Sequence, residues 1–157
     1  MIEQATKLEQ KINIRFKDQL LLKKSLIHKS HDSINNNEKL EFLGDRVLGL
    51  VLAKALLKIF PEEKEGVIDK KFANLVNKKT CLLIAKKIEL RKYITTGNSY
   101  KGLSRSDDKI IGDGLEALLG AIYLDQGIIV VEKFILNIWN DFLDKSSVTK
   151  IDAKTQL

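Results

Sequence analysis

Hydrophobic positions recur with a helical period along almost the whole chain. Between 37 and 59 they fall at Leu40, Leu43, Val47, Val51, Leu52 and Ala55, the i, i+3, i+4, i+7 spacing of a core-facing helix. The same spacing returns at Ile110, Ile111, Leu115, Leu118, Leu119 and Ile122. The pattern predicts helices over 3–12, 18–29, 37–59, 65–76, 79–88, 107–124 and 127–144. Pro61, the single proline, closes the third of these after Phe60, because proline restricts its predecessor and cannot donate to the helical ladder. Asp125-Gln126-Gly127 is a stop signal with glycine at the cap. No segment alternates convincingly as a strand: the Ile-Ile-Val-Val run at 128–131 leads straight into a helical period. The expected class is therefore all-α. The stretch 95–109 reads as the one long loop, and the polar residues after Lys145 read as a linker or tail.

Composition narrows the setting. At 157 residues, 44% hydrophobic and 31% charged, the chain can bury a core, which excludes a disordered protein. No run of 18 apolar residues occurs, so no membrane span is expected, and the polar N-terminus has no export signal core. One cysteine, Cys81, excludes an internal disulfide framework; a cytoplasmic protein is expected. The net charge of +6 is uneven: residues 64–109 carry 12 basic and 5 acidic side chains, whereas the remainder carries 15 and 16. A localised basic surface suits a polyanion, nucleic acid first. A merely solvated lysine-rich surface accounts for the charge equally well. Candidates for phosphate contact are Lys70, Lys71, Lys78, Lys79, Lys101 and Arg105.

The acids change the picture. Glu38, Glu41 and Asp45 stand at offsets of three and seven, which return to nearly one face of a helix. Their neighbours Leu40, Phe42, Leu43, Val47 and Leu48 are apolar, and Gly44 lies among them. A second pair, Asp113 and Glu116, sits in another apolar helix spotted with Gly112, Gly114 and Gly120. Singly, each acid reads as structural: Glu38 as a helix-start acid, Asp113 as an ion-pair partner of Lys109. The recurrence in two apolar, glycine-containing helices favours a shared site. If the helices pack side by side, Glu41, Asp45, Asp113 and Glu116 converge, and their repulsion calls for divalent cations with hard oxygen ligands, Mg²⁺ foremost. Such metals activate water against phosphodiesters. A basic helical DNA-binding domain would explain the charge but not the acids.

Two segments then resemble a known family. "NEKLEFLGDRVLG" at 37–49 and "GDGLEALLGAIYLDQG" at 112–127 resemble the signature motifs of the ribonuclease III family. "SLIHKS" at 25–30, "FPEEKEG" at 60–66 and "ANLVNKKTCLLIAKKIEL" at 73–90 match further family features, and the resemblance runs in order from about 5 to 145. It implies an all-α, homodimeric helical bundle with a Mg²⁺-dependent endoribonuclease activity, Mn²⁺ substituting, that cuts double-stranded RNA to 5′-phosphate and 3′-hydroxyl ends. It implies no organic cofactor and no membrane partner. By position Glu41, Asp45, Asp113 and Glu116 match the metal-binding carboxylates, Glu38 and Glu65 match two further acids at the same centre, and Phe42 matches an apolar dimer residue. His28 matches a family histidine for which a structural role is expected. Residues 1–146 correspond to the catalytic domain; 147–157, with "IDAKTQL", resemble a linker and the opening of a double-stranded RNA-binding domain. Phe72, Val67, Tyr100 and Lys109 depart from the usual pattern, Lys109 standing where a serine is common. An inactive module that scaffolds structured RNA is the alternative; such members lose the carboxylates that this chain keeps.

Overall fold

A computed structural model describes residues 2–97 and 107–147. The tail at 148–157 and the candidates Tyr100, Lys101 and Arg105 lie outside the described residues. The described part is helical: α1 (Ile2–Ile12), α2 (Gln19–Ser25), α3 (Glu38–Ile59), α4 (Glu65–Val76), α5 (Lys78–Lys87), α6 (Asp108–Gln126) and α7 (Ile128–Ile138), with a 3-10 turn at Leu90–Tyr93. A further helical segment occupies 140–147. Among the described residues the only extended pairing is an isolated bridge between Ile27 and Thr95.

The core forms where α3 and α6 cross. Leu48, Val51, Leu52 and Leu56 of α3 meet Leu115, Leu118, Leu119 and Ile122 of α6, all buried. The helices touch through backbone. A Cβ placed on Gly44 would collide with the Glu116 carbonyl, and one on Gly120 with the Leu40 carbonyl. Glycine at these two positions, costly to a helix by about 1 kcal/mol against alanine, is what lets the two backbones meet. α2, α5 and α7 cover the remaining sides of α6. Trp139 is fully buried, and its indole N–H donates to the Leu75 carbonyl at 2.9 Å, joining the end of α7 to α4.

Two expectations about helix extent need correction. The helix expected over 18–29 ends at Ser25, because the next residues pair elsewhere: the Thr95 N–H donates to the Leu26 carbonyl at 2.8 Å and the His28 N–H to the Thr95 carbonyl at 2.9 Å. The helix expected over 127–144 is interrupted at Trp139, where the indole anchor fixes a turn before helix resumes at 140. The cap of α5 is Asn77, whose side chain accepts the Thr80 N–H at 2.8 Å, while the Thr80 hydroxyl donates to the Asn74 carbonyl at 2.7 Å.

Candidate functional site

The asparagine run at 35–37 is the entrance to α3. The Asn36 side-chain oxygen accepts the Glu38 N–H at 3.1 Å, and the buried Asn37 amide donates to the Ser25 carbonyl at 3.1 Å, which ties the start of α3 to the end of α2. From this fixed end Glu41 and Asp45 project toward α6, one turn apart. Asp113 and Glu116 answer them from α6. The glycine contact at Gly44 and Gly120 sets the helices close enough for two carboxyl–carboxyl pairs. Glu41 and Asp113 lie within hydrogen-bonding reach, as do Asp45 and Glu116.

Crowding like charges at a half-buried crossing favours the protonated form. Burial, then the charge and hydrogen bonding of Asp45, pushes the Glu116 carboxyl up to about 8. Burial, then the Asp113 charge, raises Glu41 as well. Among the described residues two cations pair directly with these acids. The Lys109 ammonium pairs with Asp113 at 2.6 Å, the ion pair anticipated from their spacing. The Arg46 guanidinium pairs with Asp45 at 3.3 Å and lies over the Phe42 ring at 3.9 Å. Burial, reinforced by Glu116, Asp45 and Asp113, pushes the Cys81 thiol up to about 12, so it stays a neutral packing group.

Two cavities open beside the acids. One, of about 430 Å³, is lined by His28, Lys29, Glu38, Glu41, Lys109 and Asp113 among others. The second, of about 320 Å³, is lined by Lys78, Lys79, Cys81, Lys109, Asp113 and Glu116 among others. Glu38 therefore sits at the rim of the site, exposed, beside Glu41 and His28. His28 is held there through Nδ1, 2.7 Å from the Ser30 hydroxyl, which also accepts the Gly97 N–H at 2.9 Å. A third cavity, of about 510 Å³ between α1, α2 and the 3-10 turn, has no carboxylate in its wall.

Not every expected residue joins. Glu65 is exposed in the first turn of α4, past the C-terminal end of α3, whereas Glu41 and Asp45 occupy its first two turns. At 1.5 Å per residue, roughly 20 Å of helix separates Asp45 from that end, so within one chain Glu65 stands apart from the other acids. Lys71 is corrected too: it is 5% exposed, its ammonium donates to the Ser146 carbonyl at 2.6 Å and lies 4.5 Å from the Phe60 ring centre, so it faces the interior and not a phosphate. Lys70, Lys78 and Lys79 are exposed, the last two in the wall beside Glu116. Phe42 is 63% exposed on the face of α3 away from the core. Asp125 does more than mark a helix end: its carboxylate accepts the Lys17 and Asp18 N–H groups at 2.8 and 2.9 Å, fixing the turn before α2.

Among the described residues no three His, Cys, Asp or Glu side chains stand as a ready coordination cage. The donor set nonetheless fits a hard cation. It is all carboxylate oxygen, arranged as facing pairs across the contact between α3 and α6. Mg²⁺ retains several waters and binds through one or two carboxylates at a time, so it requires no closed protein cage.

Comparison with known proteins agrees with this architecture. Residues 18–142 match the model of the ribonuclease-III-like family. The chain is 62% identical over 151 residues to Ribonuclease 3 of Pelagibacter ubique, covering 96% of this chain and 68% of that protein. It is 39% identical over 156 residues to Ribonuclease 3 of Caulobacter vibrioides, with the same two coverages of 96% and 68%. The crystal structure of the nuclease domain of ribonuclease III from Campylobacter jejuni superposes with a TM-score of 0.80 at 38% identity, covering 87% of this chain and 95% of that one. A second structure of that domain, described for flexibility in a region involved in dimer formation, gives 0.79 at 38% identity over 84% of this chain and 93% of that one. A family match over most of the sequence, relatives alike along most of their length and a shared helical fold lead to one conclusion: the chain belongs to the ribonuclease III family and has the fold of its nuclease domain.

Proposed function

We propose that this ribonuclease III domain hydrolyses phosphodiester bonds of double-stranded RNA with Mg²⁺ held between Glu41, Asp45, Asp113 and Glu116, leaving 5′-phosphate and 3′-hydroxyl ends. The observation that carries the reading is the pairing of Glu41 with Asp113 and of Asp45 with Glu116 where the α3 and α6 backbones meet at Gly44 and Gly120. Bound divalent metal supplies an activated water and stabilises the departing oxygen. The chain's own residues do the rest. Glu116, the acid pushed furthest from its ordinary value, would give up its proton in order to hold the cation. Lys78 and Lys79, exposed in the wall of the second cavity, hold phosphates next to the reacting bond. Glu38, at the outer rim beside Glu41, would order water around a bound cation.

The exposed apolar residues Phe42, Leu50 and Leu57 of α3 support a homodimer with a second copy seated on this face. A-form RNA presents phosphates and 2′-hydroxyls across a shallow minor groove, so recognition is of duplex form and not of sequence. No described helix is long and apolar enough to cross a membrane. The single buried thiol of Cys81 suits a reducing, cytoplasmic setting. Nothing favours the inactive scaffold, since all four carboxylates are present and paired.

The direct test is a duplex cleavage assay. With Mg²⁺ the chain is expected to cut double-stranded RNA and spare double-stranded DNA. Glu116→Ala is expected to lose cleavage by at least about a thousandfold while retaining RNA binding, since a metal ligand and not a docking surface is removed. Near-normal turnover in the variant would overturn the four-carboxylate site, and equal cutting of DNA would overturn the duplex-form readout.

A further inference from the structure

The Lys109–Asp113 ion pair differs from most others in the chain. Lys54–Glu132 and Lys87–Asp141 each tie two helices together. Lys109–Asp113 lies within a single turn of α6 and ties nothing. Its order is also unfavourable to the helix. Acid before base at i, i+4 supports a helix better than base before acid, and a cation in the first turn opposes the macrodipole. The pair is close nonetheless, at 2.6 Å, with the lysine side chain 68% exposed and the aspartate 24%. Lys109 and Asp113 are also the two residues that line both cavities beside the acids, so their pair is the partition between them.

We propose that Lys109 is a tethered counter-ion of the metal-free site, one that a divalent cation must displace from Asp113. The inference rests on the metal reading above and adds a competitor built into the chain. The geometry fits the task. The Lys109 stem starts one turn before Asp113, reaches its carboxylate and leaves most of its own surface in solvent, so release toward either cavity needs no repacking. The ammonium also acts on Glu41 and Glu116, hence on acids from both pairs. Arg46 pairs with Asp45 at 3.3 Å but differs from Lys109 in that its guanidinium is also held over the Phe42 ring at 3.9 Å and lines neither cavity. The consequence is a site held neutral enough to fold without metal, at the cost of a weaker grip on metal when it arrives.

The test is calorimetric titration of the whole chain with MgCl₂ alone, without RNA, on wild type, Lys109→Gln, Lys109→Arg and the remote control Lys54→Gln. An exposed pair contributes up to about 1 kcal/mol, so Lys109→Gln is expected to bind Mg²⁺ more tightly, by up to about fivefold. Lys109→Arg is expected to bind no more tightly than wild type, and Lys54→Gln to match it, which separates the local effect from net charge. In metal-free buffer at pH 8, Lys109→Gln is expected to melt below wild type, with the gap closing as MgCl₂ is added. Equal or weaker Mg²⁺ binding by Lys109→Gln overturns the inference and leaves the metal site standing. Absence of Mg²⁺ binding in wild type, or wild-type binding by Glu116→Ala, overturns both.

Discussion

The two long faces of α3 carry similar side chains and meet opposite fates. Toward α6, Leu40, Val47, Leu48 and Val51 are buried and Gly44 lies against the Glu116 carbonyl. On the other side Phe42, Leu50 and Leu57 are each more than 60% exposed, and Arg46 covers part of the Phe42 ring. A helix that is apolar nearly all round is normally buried nearly all round. Here the chain closes one face itself and leaves the other exposed, the face that the proposed homodimer would cover. What separates the faces is small-residue placement, not hydrophobicity: glycine on the inner face permits backbone contact and aims carboxylates across it, whereas the outer face offers large side chains that suit interdigitation with a second surface.

The sharpest way to break this contrast is to add one methyl group to the inner face. Gly44→Ala is expected to destabilise the fold by about 3 kcal/mol, because the collision is with a carbonyl that cannot turn away. It is also expected to abolish Mg²⁺ binding by spreading the acid pairs; denaturant unfolding and calorimetry measure the two effects. Wild-type stability in that variant would show that the crossing is slack.

A smaller effect on the same face is expected from pH. Glu116 keeps its proton to about 8 in the folded chain but only to about 4.5 when unfolded. Between those values the folded state binds more protons, so its stability falls as pH rises. The metal-free melting temperature is therefore expected to drop by several degrees from pH 4.5 to pH 8, with Glu116→Gln flattening the profile and Mg²⁺ restoring the loss at pH 8. A flat wild-type profile without metal would count against the crowded pairing. The least change to the fold is expected on the outer face. Phe42→Ala is expected to alter protomer stability by under about 0.5 kcal/mol, since the ring is exposed, while raising the dimer dissociation constant about tenfold. Sedimentation across a concentration series reads this out, and an unchanged dimer would remove Phe42 from the interface.

The sequence makes the central pair of helices legible because period, glycine placement and acids agree there. Leu40 through Ala55 and Ile110 through Ile122 lie in α3 and α6, and Gly44 and Gly120 among them mark a close approach, whereas Gly112 faces open space. What it hides are contacts between parts of the chain that local pattern does not couple. Lys71 looks like its exposed neighbour Lys70, yet the Ser146 carbonyl and the Phe60 ring draw it inside. Leu26 continues the apolar spacing of α2, but Thr95 captures its carbonyl and ends the helix. Trp139 fits the period of α7 and still breaks it to reach Leu75. Asp125 reads as a stop for α6, and nothing near it hints at the amides of Lys17 and Asp18. Glu65 shows a limit of another sort: homology in position says nothing of reach, and α3 is too long for it to meet Asp45 within one chain.

The backbone contact between Gly44 and Glu116 also has a temporal side. The acids it brings together are contributed by helices that some 70 residues of chain keep apart, and contacts of such separation form late, after the entropy of closing a long loop has been overcome. A chain emerging from synthesis therefore carries α3 with only half of its acids until α6 has followed and docked. On the proposed reading of these acids, cutting power arrives with the completed fold, so an unfinished or partly unfolded copy holds loose carboxylates rather than an unguarded nuclease.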